Sequence, residues 1–477
     1  MRDLDCSKCK RGGRMNSKGT ALPFVKFISN ASTDVAGSAH LVRFQKYGIL
    51  LDCGLAQGGT IATDYQNNKN FLKKIRVKDI QWCILSHCHA DHSALIPALF
   101  AKGGQMHLYI PKGSREILKI LWEDSLKIMQ ADCLKLTNKH GKGYSPFYTT
   151  DDIETALNRC IEVDYHQKVY LTPNIYFYYI PAGHIIHSAQ VFLSMTQGYQ
   201  EYRVGFSGDV GGPTERPYVE PYESLSFVDM LIHECTYCQP GRVNSVKDRP
   251  KDIEKIKVAV EDSHRVIFPA FSLQRTNELL TVLYQMWEDG VLPDIPVYLD
   301  SPLAIKICNI WPDSEQWQKV MNWSMLHFIS DTDSSRKLQM SNEKAIIVSA
   351  SGFLAGGRVL SHLTTILPNP NNTIMFIGYA GENNLASKIK NNEPFVEVNG
   401  TVLENKAKII ELRSWSSHAS YEELMDYLTI LRYNKVCLVH GNMDGKIEFA
   451  KTLKEKLVEQ GKSSRVIAVN ADTKIYI

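Results

Sequence analysis

Three histidines and one aspartate lie within residues 86–92, which read SHCHADH. The four residues before them, 82–85, are the apolar run WCIL, which predicts a short buried strand. Imidazole nitrogens and carboxylate oxygens are typical zinc ligands, and active sites in layered α/β folds commonly lie where strands end. We therefore expect a metal site at the carboxyl end of this strand, completed by ligands from other strand ends.

Three more residues follow predicted strands in the same way: His184 in PAGH, Asp209 in FSGD and His440 in LVHG. A single histidine or aspartate at such a position is more often structural than functional. Together with the cluster, however, they make up the number of ligands that two metals sharing a bridging carboxylate require. The complete set is His87, His89, Asp91, His92, His184, Asp209 and His440. Five imidazoles in this set favour zinc over manganese.

Short apolar strands alternate with amphipathic helices along the chain. In the first part, residues 24–28 predict a strand, 115–136 a helix and 169–180 a hairpin around Pro173. After Pro221 the strands and helices alternate regularly, which predicts a second domain with a parallel sheet. Its first strand is expected at Met230–Ile232. A chain of 477 residues is also longer than one ordinary core requires.

The composition, 44% hydrophobic and 22% charged, is that of a globular protein. No apolar run approaches the roughly 18 residues that span a bilayer, and the first residues lack the apolar core of a secretory signal. We expect a cytoplasmic protein that does not enter a membrane. The net charge of +3 is compatible both with a nucleic-acid binder and with a metabolic enzyme.

Eleven cysteines lie scattered through apolar runs, which predicts reduced core residues rather than a disulfide framework. Cys6 and Cys9 form a CxxC without a second pair beside it. A disordered extension is therefore favoured there over a structural zinc site.

The order of LDCG, HxHxDH, a lone histidine and SGD resembles the metallo-β-lactamase fold. The resemblance assigns His87, His89 and His184 to one zinc ion. It assigns Asp91, His92 and His440 to a second, with Asp209 bridging the two ions. Asp52 of LLDCG would lie behind the ligands and orient one of the histidines.

Further motifs resemble the β-CASP subgroup of nucleic-acid processing nucleases. This subgroup includes the nuclease subunit of the cleavage and polyadenylation specificity factor and ribonucleases without KH domains. Glu234 in HECTY, His418 in WSSHAS and His440 match three of its motifs, and FPAFSLQRTNELL, VYLDSPLA and SGFLAGGRVLSHL resemble landmarks of its inserted domain. The resemblance covers nearly the whole chain from about residue 22.

The resemblance implies an α/β protein, namely a metallo-β-lactamase αββα sandwich with an inserted parallel α/β β-CASP domain. The expected boundaries are residues 21–215 and 397–477 for the metallo-β-lactamase domain and 216–396 for the insertion. Residues 1–20 are expected to be a disordered extension.

The implied reaction is zinc-dependent hydrolysis of phosphodiester bonds in single-stranded RNA. The catalytic candidates are His418, Glu234 and Asp91, with His418 as the general acid and Glu234 holding its ring. An ordinary ion pair between the domains is the alternative for Glu234 and His418. His440 points to RNA, because the DNA-directed members of the subgroup have valine there. Endonuclease and 5′-to-3′ exonuclease action both remain open.

Substrate phosphates require donors and positive charge. Arg275 and Arg358 lie at predicted helix starts, where a cationic side chain combines with free backbone N–H groups. Ser416 and Ser417 could donate to a phosphate beside His418.

Three departures from the subgroup's motifs are His187, His233 and the segment GYAGENNLA at 378–386. His187 either faces the site or packs beside it, and His233 is expected to point away from Glu234. None of these departures removes a predicted ligand.

Other functions for such a chain are a catalytically silent RNA-binding or complex subunit, a DNA nuclease and a small-molecule hydrolase. All ligand positions are filled, which argues against the silent subunit, and a long inserted domain suits a polymer. The expected partner is RNA, and a homodimer and a larger RNA-processing complex both remain open.

Overall fold

The computed structural model describes residues 22–28, 37–141, 143–213, 216–377 and 384–477. Cys6, Cys9 and residues 378–383 of the GYAGENNLA segment lie outside the described residues. Within the described part, no helix is both long enough and apolar enough to cross a membrane.

The strands are β1 Phe24–Phe27, β2 His40–Phe44, β3 Tyr47–Leu51, β4 Trp82–Ile84, β5 His107–Pro111, β6 Cys160–Val163, β7 Val169–Thr172, β8 Ile175–Pro181, β9 Ala189–Gln197, β10 Gln200–Phe206, β11 Val228–Glu234, β12 Arg265–Pro269, β13 Val297–Leu299, β14 Leu326–Phe328, β15 Ala345–Ser349, β16 Asn372–Ile377, β17 Phe395–Val398, β18 Thr401–Glu404, β19 Lys408–Leu412, β20 Tyr433–Val439, β21 Arg465–Ala468 and β22 Lys474–Tyr476. The helices are α1 Ile61–Lys74, α2 Ala90–Ser93, α3 Ile96–Ala101, α4 Ser114–His140, α5 Thr150–Asn158, α6 Arg249–Asp262, α7 Arg275–Glu288, α8 Pro302–Asn309, α9 Glu315–Met321, α10 Thr332–Met340, α11 Val359–Ile366, α12 Leu385–Lys390, α13 Tyr421–Ile430 and α14 Met443–Glu459.

Two seven-stranded sheets stack face to face. The first has the order β22-β1-β2-β3-β4-β5-β6 and the second β21-β20-β11-β10-β9-β8-β7. Their facing side chains, among them Val25 and Phe27 from the first sheet and Phe177 and Val191 from the second, form one buried cluster. The alternating burial of β1, β2 and β8 follows from this packing, because only one face of these strands points into the cluster.

Helices cover the outer face of each sheet. Leu118 and Trp122 of α4 pack with Leu108 of the first sheet, while Leu428 of α13 and Leu453 of α14 pack in a cluster with the second sheet. The expected αββα sandwich is therefore confirmed.

A third sheet is entirely parallel, with the order β14-β13-β15-β12-β16-β19. Its inner strands β15 (AIIVS) and β16 (NTIMFI) are buried at every position. Strands covered by helices on both faces read as continuous apolar runs, and this is the pattern seen here. The expected parallel inserted sheet is confirmed.

Two strands belong to different sheets from those expected. Residues 230–232 were predicted to start the inserted sheet, but β11 pairs in parallel with β10 and β20 of the second sandwich sheet. Conversely, β19 pairs with β16 at the edge of the inserted sheet. β11 is buried at all but one position, whereas β19 (KIIEL) is a partly exposed edge strand. Neither local pattern reveals which sheet accepts the strand, so the sequence could not decide this.

The topology brings several strand ends to one edge of the sandwich. Strands β10, β11 and β20 run parallel to one another, and β8 runs in the same direction because it is antiparallel to β9, which is antiparallel to β10. The loops that follow β8, β10 and β20 therefore leave from the same side.

A buried charge network joins the inserted domain to these loops. Glu278 of α7 accepts from Arg216, 3.2 Å away, and from Arg249, and its side chain has no exposed surface. Arg216 also donates to the backbone oxygen of His184, and Arg249 to that of Ser414. The two guanidinium groups outweigh the effect of burial and lower the pKa of Glu278 to about 2.

Removing the Glu278 carboxylate should lower the stability of the folded protein. We expect Glu278→Ala to destabilise the protein by about 3–5 kcal/mol, because two buried guanidinium groups would lose their counter-charge. Chemical denaturation measures the loss. Glu315→Ala removes an exposed carboxylate 3.4 Å from Lys319 and should change stability by less than about 1 kcal/mol. Equal losses in the two variants would contradict a role for the network.

Candidate metal centre

Four ligand atoms converge in a first cluster. His89 Nδ1 lies 3.2 Å from His87 Nε2 and 3.2 Å from His184 Nε2. The Oδ2 atom of Asp209 lies 3.6 Å from His87 Nε2 and 3.7 Å from His184 Nε2. His87 and His89 follow β4, His184 follows β8 and Asp209 follows β10. Three strand ends therefore supply one set of donors that could hold a metal ion.

A second cluster lies on the other side of Asp209. His92 Nε2 is 3.3 Å from His440 Nε2 and 3.2 Å from Asp209 Oδ1. The Oδ2 atom of Asp91 is 3.3 Å from His440 Nε2. The four residues have ligand atoms within 4.8 Å of one another.

The two oxygens of Asp209 thus face different clusters, which is the arrangement a bridging carboxylate needs. Oδ1 is buried, and among the described residues it accepts no hydrogen bond of good geometry, although His92 Nε2 lies 3.2 Å away. A buried carboxylate oxygen without a donor is costly unless a cation or another donor satisfies it. The donor set of imidazole nitrogens and carboxylate oxygens fits zinc, so we assign a metal site here.

The histidines of the first cluster are in the protonation state that metal binding requires. Burial lowers the pKa of His87 and of His184 well below the ordinary value, and it lowers that of His89 to about 4. These imidazoles are neutral near pH 7, so their lone pairs are available for a metal ion.

The second cluster differs in its charge. Burial would lower the pKa of His92, but the carboxylates of Asp209 and Asp91 outweigh it and raise this pKa well above the ordinary value. The pKa of His440 is likewise raised, mainly because Asp209 and Asp91 outweigh burial. Without a cation, the two carboxylates therefore favour the protonated form of these histidines.

Asp52 orients one histidine of each cluster, His92 directly and His87 through Ser86. Its Oδ2 accepts from His92 Nδ1 at 2.6 Å and from the hydroxyl of Ser86 at 2.8 Å. The Ser86 oxygen in turn lies 3.0 Å from His87 Nδ1 and can accept its proton. In both rings the proton on Nδ1 leaves Nε2 free for a metal ion. The sequence pointed to Asp52 and missed Ser86, although Ser86 begins the SHCHADH motif.

Thr236 plays a similar part for His440. Its hydroxyl donates to Glu234 Oε2 and lies 2.8 Å from His440 Nδ1, whose proton it can accept. His440 Nε2 then points to the second cluster. Thr236 was also missed. The only signal in the sequence is a hydroxyl residue two positions after Glu234.

His418 and Glu234 form a pair beside the clusters. His418 Nδ1 lies 3.0 Å from Glu234 Oε1, and its Nε2 lies 3.9 Å from Asp209 Oδ2. Glu234 is fully buried and accepts also from the backbone N–H of Val210 at 2.6 Å. Burial would raise the pKa of Glu234, but His418 outweighs it and the pKa is lowered. An ionised carboxylate therefore holds a ring whose other nitrogen faces the metal ligands.

Gly208, which precedes Asp209, has φ +54°. A Cβ atom at this position would lie 2.6 Å from the Cβ of Ser86. Glycine is therefore required both by the backbone conformation and by the close approach of the SHCHADH strand.

The residues predicted to contact phosphates find partners within the protein. Arg275 begins α7 as expected, but it is buried and donates to the carbonyl of Ile377 at 2.8 Å, and burial lowers its pKa to about 10. Arg358 is the N-terminal cap residue of α11 and donates to Asp300 at 2.7 Å. Ser416 donates to the hydroxyl of Tyr237 at 2.8 Å, and Ser417 lies 3.5 Å from Arg216. These contacts give no support to a direct role in phosphate binding.

His187 and His233 lie outside the clusters. His187 has φ +58°, and its ring packs so closely against Gly113 that a Cβ there would lie 2.5 Å from it. His233 is buried, and its Nδ1 lies 2.8 Å from the backbone oxygen of Glu234. Both contacts are those of packed side chains.

Comparison with known proteins identifies the family. The family model for the Beta-Casp domain matches residues 276–389, and that for the Zn-dependent metallo-hydrolase RNA specificity domain matches 403–465. A third, for the anti-Pycsar protein Apyc1, matches 27–253. The chain is 30% identical over 437 residues to Ribonuclease TTHA0252 of Thermus thermophilus, covering 89% of this chain and 94% of the relative. This chain belongs to the β-CASP family of metallo-β-lactamase-fold nucleases.

Other relatives are more distant. Transcription termination factor FttA of Methanocaldococcus jannaschii is 27% identical, over 91% of this chain and 69% of its own length. An RNase J-like protein of the same organism is 25% identical, over 86% of this chain and 91% of its own length. A solved structure from Enterococcus faecalis V583, described as a protein of unknown function, superimposes with a TM-score of 0.54 over 96% of this chain and 100% of its own. Its sequence identity of 14% means that it shows the fold alone.

The contacts of Asp52 lead to a first prediction for this site. Asparagine tolerates the φ of +58° at this position, but its amide would donate where the carboxylate accepts from His92. His92 would then carry its proton on Nε2, and we expect Asp52→Asn to weaken metal binding about 10–100-fold. Chelator competition measures the affinity. Asp64→Asn, which alters a carboxylate bonded to the amides of Gly58 and Gly59, should leave it unchanged. Unaltered affinity in Asp52→Asn would refute the proposed orientation.

The raised pKa values of His92 and His440 lead to a second prediction. Protons bound to these rings in the free protein must leave before a metal ion can bind. Metal affinity should therefore rise with pH and fall as the pH drops below the raised pKa values. Calorimetric titrations with zinc at one pH, in two buffers of different ionisation enthalpy, should give different heats because protons are released. Equal heats would show that the histidines were already neutral.

Proposed function

We propose that this chain is a ribonuclease that binds two zinc ions and hydrolyses phosphodiester bonds in single-stranded RNA. The observation that carries the proposal is the pair of ligand clusters sharing Asp209, with the Glu234–His418 pair beside them. The named activity of Ribonuclease TTHA0252, which is similar over nearly the whole chain, supports RNA as the substrate.

The residues that would hold the first zinc are His87, His89, His184 and Asp209, and those for the second are Asp91, His92, His440 and Asp209. When bound, the metals supply stabilisation of the charge on the phosphoryl oxygens and activation of water near neutral pH. Asp52 and Thr236 fix the tautomers of the ligand histidines before the substrate arrives. The chain therefore provides a rigid donor set that needs little rearrangement during the reaction.

His418 is the proposed general acid. The leaving ribose oxygen needs a proton, and His418 Nε2 faces the clusters while Nδ1 is held by Glu234. Glu234 orients the ring so that Nε2 can donate to the leaving oxygen. The side chain of His418 is 17% exposed, so it can reach both the substrate and the solvent that restores its proton. These contacts also make a purely structural ion pair the weaker interpretation.

The inserted domain supports a polymeric substrate rather than a small molecule. Its parallel sheet and helices are fixed to the loops of the metal site by the buried network of Arg216, Glu278 and Arg249. A chain of nucleotides bound at the metal site would extend along this domain. The preference for RNA over DNA rests on His440 and on the named relatives.

The test is cleavage of a 5′-labelled single-stranded RNA beside the matching DNA, with zinc present and products resolved to single nucleotides. We expect RNA to be cut and DNA spared, and the product ladder will distinguish internal from terminal cleavage. His87→Ala should abolish cleavage together with metal binding. His418→Ala should retain the metals and lower kcat by about 10²–10⁴-fold.

His107→Ala provides the control, because it removes an exposed histidine at the start of β5 that belongs to neither cluster. This variant should cleave RNA at the same rate as the unaltered protein. Intact RNA in the presence of protein that holds two zinc ions would reject the ribonuclease and favour a silent binding subunit. Equal cleavage of DNA would reject the RNA specificity.

A further inference from the structure

Two cysteines enclose the turn that directly follows Glu234. Cys235 and Cys238 are the ends of the sequence CTYC, whose central residues Thr236 and Tyr237 form a turn. The first and last Cα atoms of a β-turn lie within about 7 Å of each other. A disulfide needs a Cα separation of about 4.4–6.8 Å, so this turn has the span of a disulfide. Neither thiol has a part in the metal site or the proposed reaction.

The two thiols lie beside each other, and that of Cys238 also lies 3.9 Å from the backbone oxygen of Asn442. The side chain of Cys235 hydrogen-bonds to that of Cys238, and this contact lowers the pKa of the Cys238 thiol. Both cysteines are free, with exposed fractions of 0% for Cys235 and 5% for Cys238. The slightly more exposed residue, Cys238, thus has the lower thiol pKa. Among the described cysteines, each of the other eight has its pKa raised, chiefly by burial.

The residues between the two cysteines reach the catalytic groups. Thr236 contacts Glu234 and His440, as described above. Tyr237 accepts from Ser416, and its ring stands perpendicular to that of His418 with centroids 5.7 Å apart. A change in the conformation of this turn would therefore alter the support of a metal ligand and of the general acid together.

The surroundings leave the turn little freedom. The backbone N–H of Cys235 donates to the carbonyl of His440 at 3.2 Å. A Cβ at Gly441 would lie 2.2 Å from the carbonyl oxygen of Cys235, and one at Gly445 would lie 2.5 Å from the sulfur of Cys238. The dithiol is thus packed against the segment that follows β20 and carries His440. Movement of the sulfurs would be transmitted to this segment.

We propose that Cys235 and Cys238 are a redox modification site that forms a reversible disulfide with a peroxide as oxidant, and that the disulfide lowers nuclease activity. The effect on activity rests on the proposed function, whereas disulfide formation does not. A transient disulfide is compatible with cysteines that are otherwise reduced.

The chemistry balances with one peroxide per dithiol. The Cys238 thiol releases its proton, and the thiolate sulfur attacks one oxygen of hydrogen peroxide. The O–O bond breaks, a sulfenic acid forms, and the leaving hydroxide takes up the released proton to give one water. The sulfur of Cys235 then attacks the sulfenic sulfur, the S–O bond breaks, and a second water leaves with the thiol proton. Two thiols are oxidised to one disulfide, and the peroxide is reduced to two water molecules.

The first measurement uses the full metal-loaded chain, treated with hydrogen peroxide, alkylated and digested with trypsin. The segment 204–242 contains Cys235 and Cys238 and no other cysteine, so one peptide reports on the pair. We expect this peptide to escape alkylation and to lose the mass of two hydrogen atoms, and dithiothreitol to reverse both changes. The inference is overturned if the peptide remains fully alkylated at peroxide doses that oxidise other cysteines.

The second measurement compares metal affinity and RNA cleavage before and after oxidation. We expect both to fall about tenfold, because Thr236 no longer holds His440 correctly, and to recover with dithiothreitol. Cys238→Ser should be insensitive to peroxide. Cys308→Ser, which alters a buried cysteine of α8, should respond like the unaltered protein.

The outcomes separate the two proposals. If the reduced chain cuts no RNA, the proposed function fails, while the peptide mass and the metal affinity still decide the disulfide. If Cys238→Ser loses activity and metal affinity with peroxide as the unaltered protein does, the dithiol is not the sensitive group and the inference fails.

Discussion

A carboxylate that is buried from solvent must be surrounded by groups that stabilise its charge. Asp209 is such a carboxylate. Burial would raise its pKa, but the neighbouring histidines, with His440 and His92 first, hold that pKa well below the ordinary value. Its two oxygens face two different sets of imidazoles. Each set is completed by residues from other strand ends, so the arrangement exists only when both sheets of the sandwich are in register at this edge.

Behind this centre, further buried groups fix the orientation of the ligands. Asp52 reaches His92 directly and His87 through Ser86, while Glu234 reaches His440 through Thr236. Glu234 also holds His418, so one carboxylate connects a metal ligand to the proposed general acid. Such sharing explains why the turn after Glu234 is a sensitive place in the molecule. A small movement of Thr236 changes two contacts at once.

The predictions from sequence succeeded where a residue's chemistry or a local pattern was sufficient. The ligand candidates were found because several metal-binding side chains follow apolar runs, and the αββα sandwich followed from a family resemblance that the comparisons confirm. The predictions failed at β11 and β19, because the local sequence of a strand does not reveal which sheet accepts it. The phosphate contacts suggested for Arg275 and Arg358 stay predictions, and both side chains have hydrogen-bond partners within the protein.

By itself, the sequence determined which side chains could bind metals, which segments would be strands and which family the motifs resemble. These properties are local, since they depend on residue type and on spacing along the chain. Only the tertiary structure decided that Asp209 lies between the two clusters, that Ser86 and Thr236 set the histidine tautomers, and that Cys235 and Cys238 enclose the turn joining Glu234 to His440. The physical reason is that hydrogen bonds and burial depend on distances between residues far apart in sequence, and packing of the two sheets and the inserted domain sets those distances.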